Sequence, residues 1–506
     1  MALGRCHTTA LEGVTAHVVT VEANVGTGLP GVQVVGMADT AISESRDRIR
    51  TAVVNSRLPW AKTRVVVSMA PAALPKSGAH FDLPMALAIL SAQMPHNELL
   101  DNALVLGELG LDGSVRPVSG IIPALLTARS QGFDTLVIPP GNAAEATLVP
   151  DMNVLVAHTL VDAFAWACGS RELPSAQGME VPVPAGEEVP DFRDIAGQRE
   201  AKWAAEVSAA GGHHLLMVGP PGSGKSMIAA RLPSILPKLS TDQSVEATAI
   251  HSLAGTPGAV VSRAPFIAPH SSVTRAALLG GGAGNPRPGA VSLAHHGVLF
   301  LDEASEVSAR VLDGLRAPLE DGHVTISRAR REVTFPARFQ LVLAANPCRC
   351  AAEEPSKCRC RASERRNYLT NLSGPLRDRL DMVVDISGRA ASLHAVDEEP
   401  SAAIAERVAQ ARDRAKQRWR GDGLAVHNNG AVPASYLRRN RPATETAMAM
   451  LAAYLADGEL SQRGVDRVLR LAWTLADLDG SAQPDIDHVG KALDLRGAGV
   501  LERLAA

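Results

Sequence analysis

No run of about eighteen apolar residues occurs anywhere in the chain, and Met1 to Gly13 has no apolar core of signal-peptide length. The sequence therefore offers neither a membrane-spanning helix nor a secretory leader, and a cytoplasmic protein with no membrane partner is expected. Cysteine is also scarce. Six in 506 residues cannot staple a chain of this size, and four of the six crowd between Cys348 and Cys360, a clustering that points to metal rather than to disulfides. An excess of one charge is missing too: 50 Lys and Arg against 53 Asp and Glu leave a formal net charge of -3. Nothing global draws the protein to nucleic acid or anionic lipid, so any DNA contact must come from local patches. What is present is ordinary globular material, 46% hydrophobic and 20% charged, in a length that fits three domains.

Residues 14 to 35 alternate apolar and polar positions, interrupted by Gly26, Gly28, Pro30 and Gly31, and read as paired strands. A helix over Ala41 to Asn55, a strand over Arg64 to Met69 and a helix over Asp82 to Leu90 follow. Short strands flank the Asp112-Gly113 turn, and a helix near Ile121 to Ser130 leads to a strand at Thr135 to Ile138. This is an α/β domain over residues 1–168. Residues 169–190, rich in Pro, Gly and acids and without periodicity, form a linker. A second α/β domain occupies 191–396, opening with a helix over Gln198 to Ala210 and the apolar strand Leu215 to Val218. Residues 397–506 carry helical spacing over Ala402 to Trp419, Ala443 to Ala456, Val465 to Leu478 and Ile486 to Leu495, a helical bundle.

The chemistry is densest in the middle domain. Gly219-Pro220-Pro221-Gly222-Ser223-Gly224-Lys225-Ser226 fits the phosphate-loop pattern and lies between that strand and a helix expected from Met227. Its glycines let backbone N–H groups close on phosphate, Lys225 reaches the terminal phosphates, and the Ser226 hydroxyl is placed for Mg2+. Downstream, Gly297-Val-Leu-Phe-Leu-Asp302-Glu303 is a buried strand ending in two carboxylates. Asp302 suits the magnesium shell and Glu303 the orientation of an attacking water. A further strand, Phe339 to Ala344, runs to Asn346. Taken alone beside Pro347 this residue reads first as a turn former, and second as an amide that contacts the γ-phosphate or its water.

These motifs resemble those of the magnesium-chelatase-like AAA+ proteins, specifically the bacterial YifB/ComM family. The resemblance is carried by Lys76-Ser-Gly-Ala-His-Phe-Asp-Leu-Pro84, the phosphate loop, the segments Pro286 to Glu303 and Pro336 to Pro347, and Ser373-Gly-Pro-Leu-Arg-Asp-Arg-Leu-Asp381. It implies an N-terminal ribosomal-S5/Lon-protease-like α/β domain and a central P-loop AAA+ α/β domain with a helix-2 insert, about Phe266 to Gly289. It also implies a pre-sensor-1 hairpin around Gly322 to Phe335, a C-terminal helical lid, and a homo-hexameric ring using ATP and Mg2+. By the same resemblance Asn346 takes its γ-phosphate role, Arg379 is an arginine finger given to a neighbouring subunit, and Arg463 is the lid arginine that senses nucleotide, with Arg467 as the alternative. The competing reading makes both arginines surface ion pairs. Arg328, Arg330 and Arg331 make the hairpin basic, fitted to gripping DNA phosphates without reading bases; the bland reading is a solvated turn. The chain departs from the family where Pro265-Phe-Ile-Ala-Pro-His270-Ser271 replaces a stretch usually read as Pro-Phe-Arg-x-Pro-His-His, and at Arg275.

Cys348-Arg-Cys350 and Cys358-Arg-Cys360 are two C-x-C pairs directly after Asn346, suited to a closed structural Zn2+ site. The alternative is four free thiols. Against the Lon pattern His80 stands at the nucleophile and Ile122 at the lysine, so protease chemistry is not expected. The leading function is then an ATP-hydrolysing motor on DNA, a helicase or branch-migration activity in recombination or natural transformation, with recombination proteins among its partners. A remodeller of protein complexes of chelatase type and a non-proteolytic regulatory scaffold are the competitors.

Overall fold

The computed structural model describes residues 2–36, 40–94, 98–179, 189–282, 285–328, 331–352, 357–386 and 398–497. Part of the expected linker, residues 180–188, lies outside the described residues, as do Asp397 at the expected boundary and Arg330 of the hairpin.

The N-terminal region is a seven-stranded mixed sheet. Its order is Gly31–Val35, Arg64–Ala70, Thr15–Val25, Ala2–Glu12, Ala103–Val105, Thr135–Ile138 and Asn153–Val156. The first strand, Ala2–Glu12, pairs antiparallel with Thr15–Val25 along its whole length and parallel with Ala103–Val105 at His7 and Leu104. It was not among the strands expected from the sequence. Its buried positions are Gly4, Cys6, Thr8, Thr9 and Ala10, small or polar side chains that give no apolar alternation. Gly4 is dictated by packing: a Cβ there would lie 2.1 Å from the Ala88 carbonyl oxygen on the Asp82–Ser91 helix. Helix and sheet are thus in backbone contact.

The central domain is built on five parallel strands in the order Phe266–Ile267, Val298–Leu301, Gln340–Ala345, Leu215–Val218 and Met382–Asp385. Alternate residues feed two cores. Leu215, Met217, Phe300, Val342 and Ala344 face one side, while Leu216, Leu299, Leu301, Leu341 and Leu343 face the other. Both faces are dry, as a parallel sheet between helices requires. The expected hairpin forms from His323–Arg328 and Arg331–Pro336. The insert contributes the short helix Arg275–Leu279 and a two-stranded pairing of Gly280–Gly281 with Arg287–Pro288.

The C-terminal helices Ser401–Gly421, Glu445–Ala456, Gln462–Asp479 and Ile486–Leu495 share the first of these cores instead of forming a separate one. Trp419 and Trp473 meet edge to face at 5.8 Å, and the Arg418 guanidinium lies 4.1 Å from the Trp473 ring centre while pairing with buried Asp477. The N-terminal domain docks on the Thr241–Ala254 helix. Ser119 donates to the Ser252 carbonyl at 2.8 Å, Ala249 enters the N-terminal core, and the Gly258 N–H donates to Glu145. No helix among the described residues is long and apolar enough to cross a membrane.

Candidate functional site: a phosphate loop and two acids on one sheet

The strands Leu215–Val218 and Val298–Leu301 flank Gln340–Ala345 in the sheet, so their C-terminal ends deliver three loops to one edge. Gly222 and Gly224 adopt φ of 75° and 88°, and no atom lies within 4 Å of a Cβ built at either. Glycine is needed at these two positions for backbone conformation rather than for space. The helix that follows begins at Lys225, two residues before the expected start, so its first N–H groups face the loop.

Lys225 is folded back into the loop. Its amine donates to the Gly219 and Pro220 carbonyls, both at 2.7 Å, and lies 3.2 Å from Asn346 Oδ1. Burial lowers its pKa, with the Asp302 and Glu303 charges acting the other way. The Ser226 hydroxyl donates to Asp302 Oδ2 at 2.6 Å. Residues separated by 76 positions are thereby brought together at the hydroxyl and carboxylate pair that can hold Mg2+. Glu303 is exposed beside them and takes φ of 47°, a left-handed conformation rare for a residue with a side chain. Such strained backbone persists where the surroundings over-determine it.

Arg379 and Arg463 lie elsewhere. Asp381 accepts from the His214 N–H at 2.9 Å and pairs with Arg467 at 2.9 Å. His214 precedes the strand whose far end carries the phosphate loop, so this cluster sits about 13 Å away, one four-residue strand length. Arg463 pairs with Asp378 at 3.1 Å, and the Arg467 side chain donates to the Arg379 carbonyl at 2.7 Å. Arg379 itself pairs with Glu320, and burial together with the positive charges of Arg316, Arg463 and Arg467 lowers its pKa. The two arginines are therefore neighbours of each other and not of their own chain's phosphate loop.

Of the hairpin residues, Arg328 is exposed, the backbone of Arg331 pairs with it, and Arg330 is outside the described residues. The four sulfurs of Cys348, Cys350, Cys358 and Cys360 lie within 4.8 Å of one another. Backbone N–H groups of Arg359 and Ala352 are directed at Cys350 and lower its pKa to about 6. His80 is buried with Nε2 2.9 Å from the Thr9 carbonyl, and Ile122 is a core residue.

One cluster had no signal in the sequence. His295 and His296 both meet Glu246 Oε2, at 2.9 and 2.7 Å, and hold its pKa well below the carboxylate range. Its members are contributed by a distant helix and by the turn before a strand, so only the fold brings them together. His295 Nδ1 accepts the Arg338 N–H at 2.9 Å. Its proton is then on Nε2, pointing at Glu246, and the trio forms a hydrogen-bonded brace at the root of the Asp302 strand.

Comparison with known proteins agrees with this architecture. Residues 191–393 match the family described as magnesium chelatase, subunit ChlI; residues 21–142 match subunit ChlI of Mg-chelatase, and 398–496 its C-terminal region. YifB of Escherichia coli is 37% identical over 503 residues, covering 98% of this chain and 97% of that protein. The competence protein ComM of Haemophilus influenzae is 37% identical over 506 residues, with 98% of both chains covered. The chain belongs to the YifB/ComM family of magnesium-chelatase-like AAA+ ATPases. An uncharacterized protein of Mycobacterium tuberculosis is 48% identical over 506 residues, covering 99% of each chain. A Lon protease of Mycolicibacterium smegmatis is 30% identical over 148 residues, 28% of this chain and 19% of the protease. The N-terminal sheet is accordingly Lon-like, the middle domain AAA+, and the C-terminal region helical.

Proposed function

We propose that the protein is a DNA motor: a homo-hexameric ring in the cytoplasm that hydrolyses ATP to drive strand separation or branch migration in recombination or natural transformation. The observation that carries it is the split between Lys225, Ser226, Asp302 and Asn346 at one end of the sheet and Arg316, Arg379, Arg463 and Arg467 at the other. Among the described residues Arg379 pairs with Glu320, Arg463 with Asp378 and Arg467 with Asp381, and Arg379 Nε and Arg467 Nε are buried without an acceptor. A phosphate supplied by the next copy of the chain meets that need, and a finger arginine of this kind raises turnover by about a thousandfold or more.

In this reading Lys225 and the loop N–H groups bind the β- and γ-phosphates. Ser226 and Asp302 hold Mg2+, which neutralises phosphate charge, while Glu303 orients the water and Asn346 checks the γ-phosphate end. Arg328, Arg330 and Arg331 line the ring's path and grip backbone phosphates. The Cys348, Cys350, Cys358 and Cys360 tetrad binds structural zinc. The name of the Haemophilus relative, a competence protein, supports the DNA track.

A second reading, an ATP-driven remodeller of protein complexes, is favoured by a cavity of about 600 Å³ where the Lon-like domain meets the insert, lined by Ser77, His80, Glu108, Ser119, Asn285 and Arg287. Strand displacement on forked DNA decides between them. ATP-dependent unwinding together with DNA-stimulated hydrolysis is expected; a chain that hydrolyses ATP at a rate indifferent to DNA and unwinds nothing is not a DNA motor.

A further inference from the structure

The cysteine tetrad stands between two parts of the nucleotide site. Upstream, Cys348 follows Asn346 by two residues, and Asn346 lies 3.2 Å from the Lys225 amine. Downstream, Arg365 on the Ala362–Thr370 helix donates to the Cys360 carbonyl at 3.2 Å and reaches the Cys358 sulfur at 4.0 Å. The same helix carries Tyr368, only 8% exposed, whose hydroxyl bonds to the Glu306 carboxylate. Just beyond it, Asn371 donates to the Ser305 carbonyl at 2.7 Å. Ser305 and Glu306 form the turn that leaves Glu303, closed by the Glu306 N–H to the Glu303 carbonyl at 2.7 Å. That turn holds the left-handed backbone of Glu303.

The sulfur spacing distinguishes what the tetrad is. Cys348 to Cys350, Cys348 to Cys358 and Cys350 to Cys358 are 3.3, 3.5 and 3.6 Å. A disulfide would need about 2.05 Å. A tetrahedral ion with bonds of about 2.3 Å places its sulfurs roughly 3.8 Å apart, close to what is seen. Two C-x-C arms leave each pair little freedom, and four soft donors with no oxygen or open position select zinc among common divalent ions.

We propose that this tetrathiolate metal is a working part of the ATPase site: by clamping the Asn346 loop on one side and, through Arg365, Tyr368 and Asn371, the Ser305–Glu306 turn on the other, it aims Asn346 and Glu303 together. The inference rests on the ATPase reading above. Loss of the metal slackens both partners of the γ-phosphate while leaving the phosphate loop whole, so it acts on turnover and not on nucleotide affinity. Tyr368 and Asn371 are positioning residues that relay the clamp.

The test uses the full-length chain and three measurements: bound metal by atomic emission, affinity for a fluorescent ATP analogue, and kcat. Wild type should carry one zinc per chain. The double variant Cys358→Ser, Cys360→Ser should lose it, keep analogue affinity within about threefold and lose kcat by about tenfold to a hundredfold. Tyr368→Phe should keep the metal and the affinity yet lose kcat by several-fold, which covers the case in which the cysteine variant fails to fold. Adding Zn2+ or Cd2+ to chelated wild type should restore kcat. Wild type that binds no metal overturns the proposal, as does metal-free protein with undiminished kcat, or an unaltered Tyr368→Phe. Zinc-loaded wild type without any ATP turnover would instead sink the ATPase reading, and this inference with it.

Discussion

Glu145 offers a quantitative probe of how the Lon-like domain is held. Its carboxylate is fully buried at the junction with the ATPase domain, where Oε1 accepts from Asn142 Nδ2 at 3.0 Å and from the Gly258 N–H. Burial raises its pKa from 4.5 to about 7, and the groups opposing that rise, Gly258, Asn142 and Ser252, are all neutral. An acid whose pKa is higher in the docked state holds its proton longer there than when released. Docking is therefore unpenalised below the free value of 4.5, weakens as pH climbs from 4.5 to about 7, and bears the full cost above that. The interval corresponds to about 3 kcal/mol at 1.36 kcal/mol per unit. Glu145→Gln keeps an oxygen for Gly258 and Asn142 and has no charge to bury. Amide hydrogen exchange at Gly258 and along the C-terminal half of the Thr241–Ala254 helix, corrected for intrinsic rates, reads the opening free energy. The variant should match wild type near pH 4 and exceed it by about 3 kcal/mol at pH 8. A difference that does not change between those pH values would refute the argument.

Two outcomes test the catalytic assignments. Glu303→Gln should retain ATP affinity while kcat falls by about a hundredfold or more, because the phosphate loop is untouched and only the water loses its orienting group; an equal loss of affinity would place Glu303 in binding. Arg379→Ala and Lys225→Ala should each abolish hydrolysis alone, and mixing the two proteins before assembly should recover a fraction of it, since some interfaces then pair an intact loop with an intact arginine. Mixtures as inactive as their components would put Arg379 outside the neighbour's site.

The candidate nucleotide site was legible as a pattern because its residues are constrained locally. Glycines with φ above zero, a lysine opening a helix and acids closing an all-apolar strand each leave a mark within a few residues, and parallel pairing then brings Ser226 to Asp302. The helices of the C-terminal region were equally open to reading, since their apolar spacing is the packing itself. Ala2–Glu12 was not, because backbone contact with a helix demands Gly4 and small neighbours, and a strand made of such residues has no periodic signal. Nor could Glu246 be tied to His295 and His296, whose bond spans 49 residues and depends on how one helix lies across the root of the sheet.

The arginines show most clearly where sequence reading stops. Asp-Arg-Leu-Asp381 and Ser-Gln-Arg463 mark residues fit to meet phosphate, but a motif does not say whose phosphate. Which end of a strand each one occupies bears on that question. Asp381 bonds the His214 N–H, ahead of the strand, while the phosphate loop follows it. The lid helix Gln462–Asp479 is anchored at that same leading end by Thr474, 2.7 Å from His213 Nε2, and by Arg467 on Asp381. Moving Arg463 onto its own chain's phosphate loop would mean breaking both anchors and carrying the shared Trp419 and Trp473 core with it. Contact with a second copy requires no such rearrangement. A lid anchored at the leading edge keeps Arg463 and Arg467 beside Arg379 and away from the phosphate loop of the same chain, which is the arrangement the proposed shared site rests on.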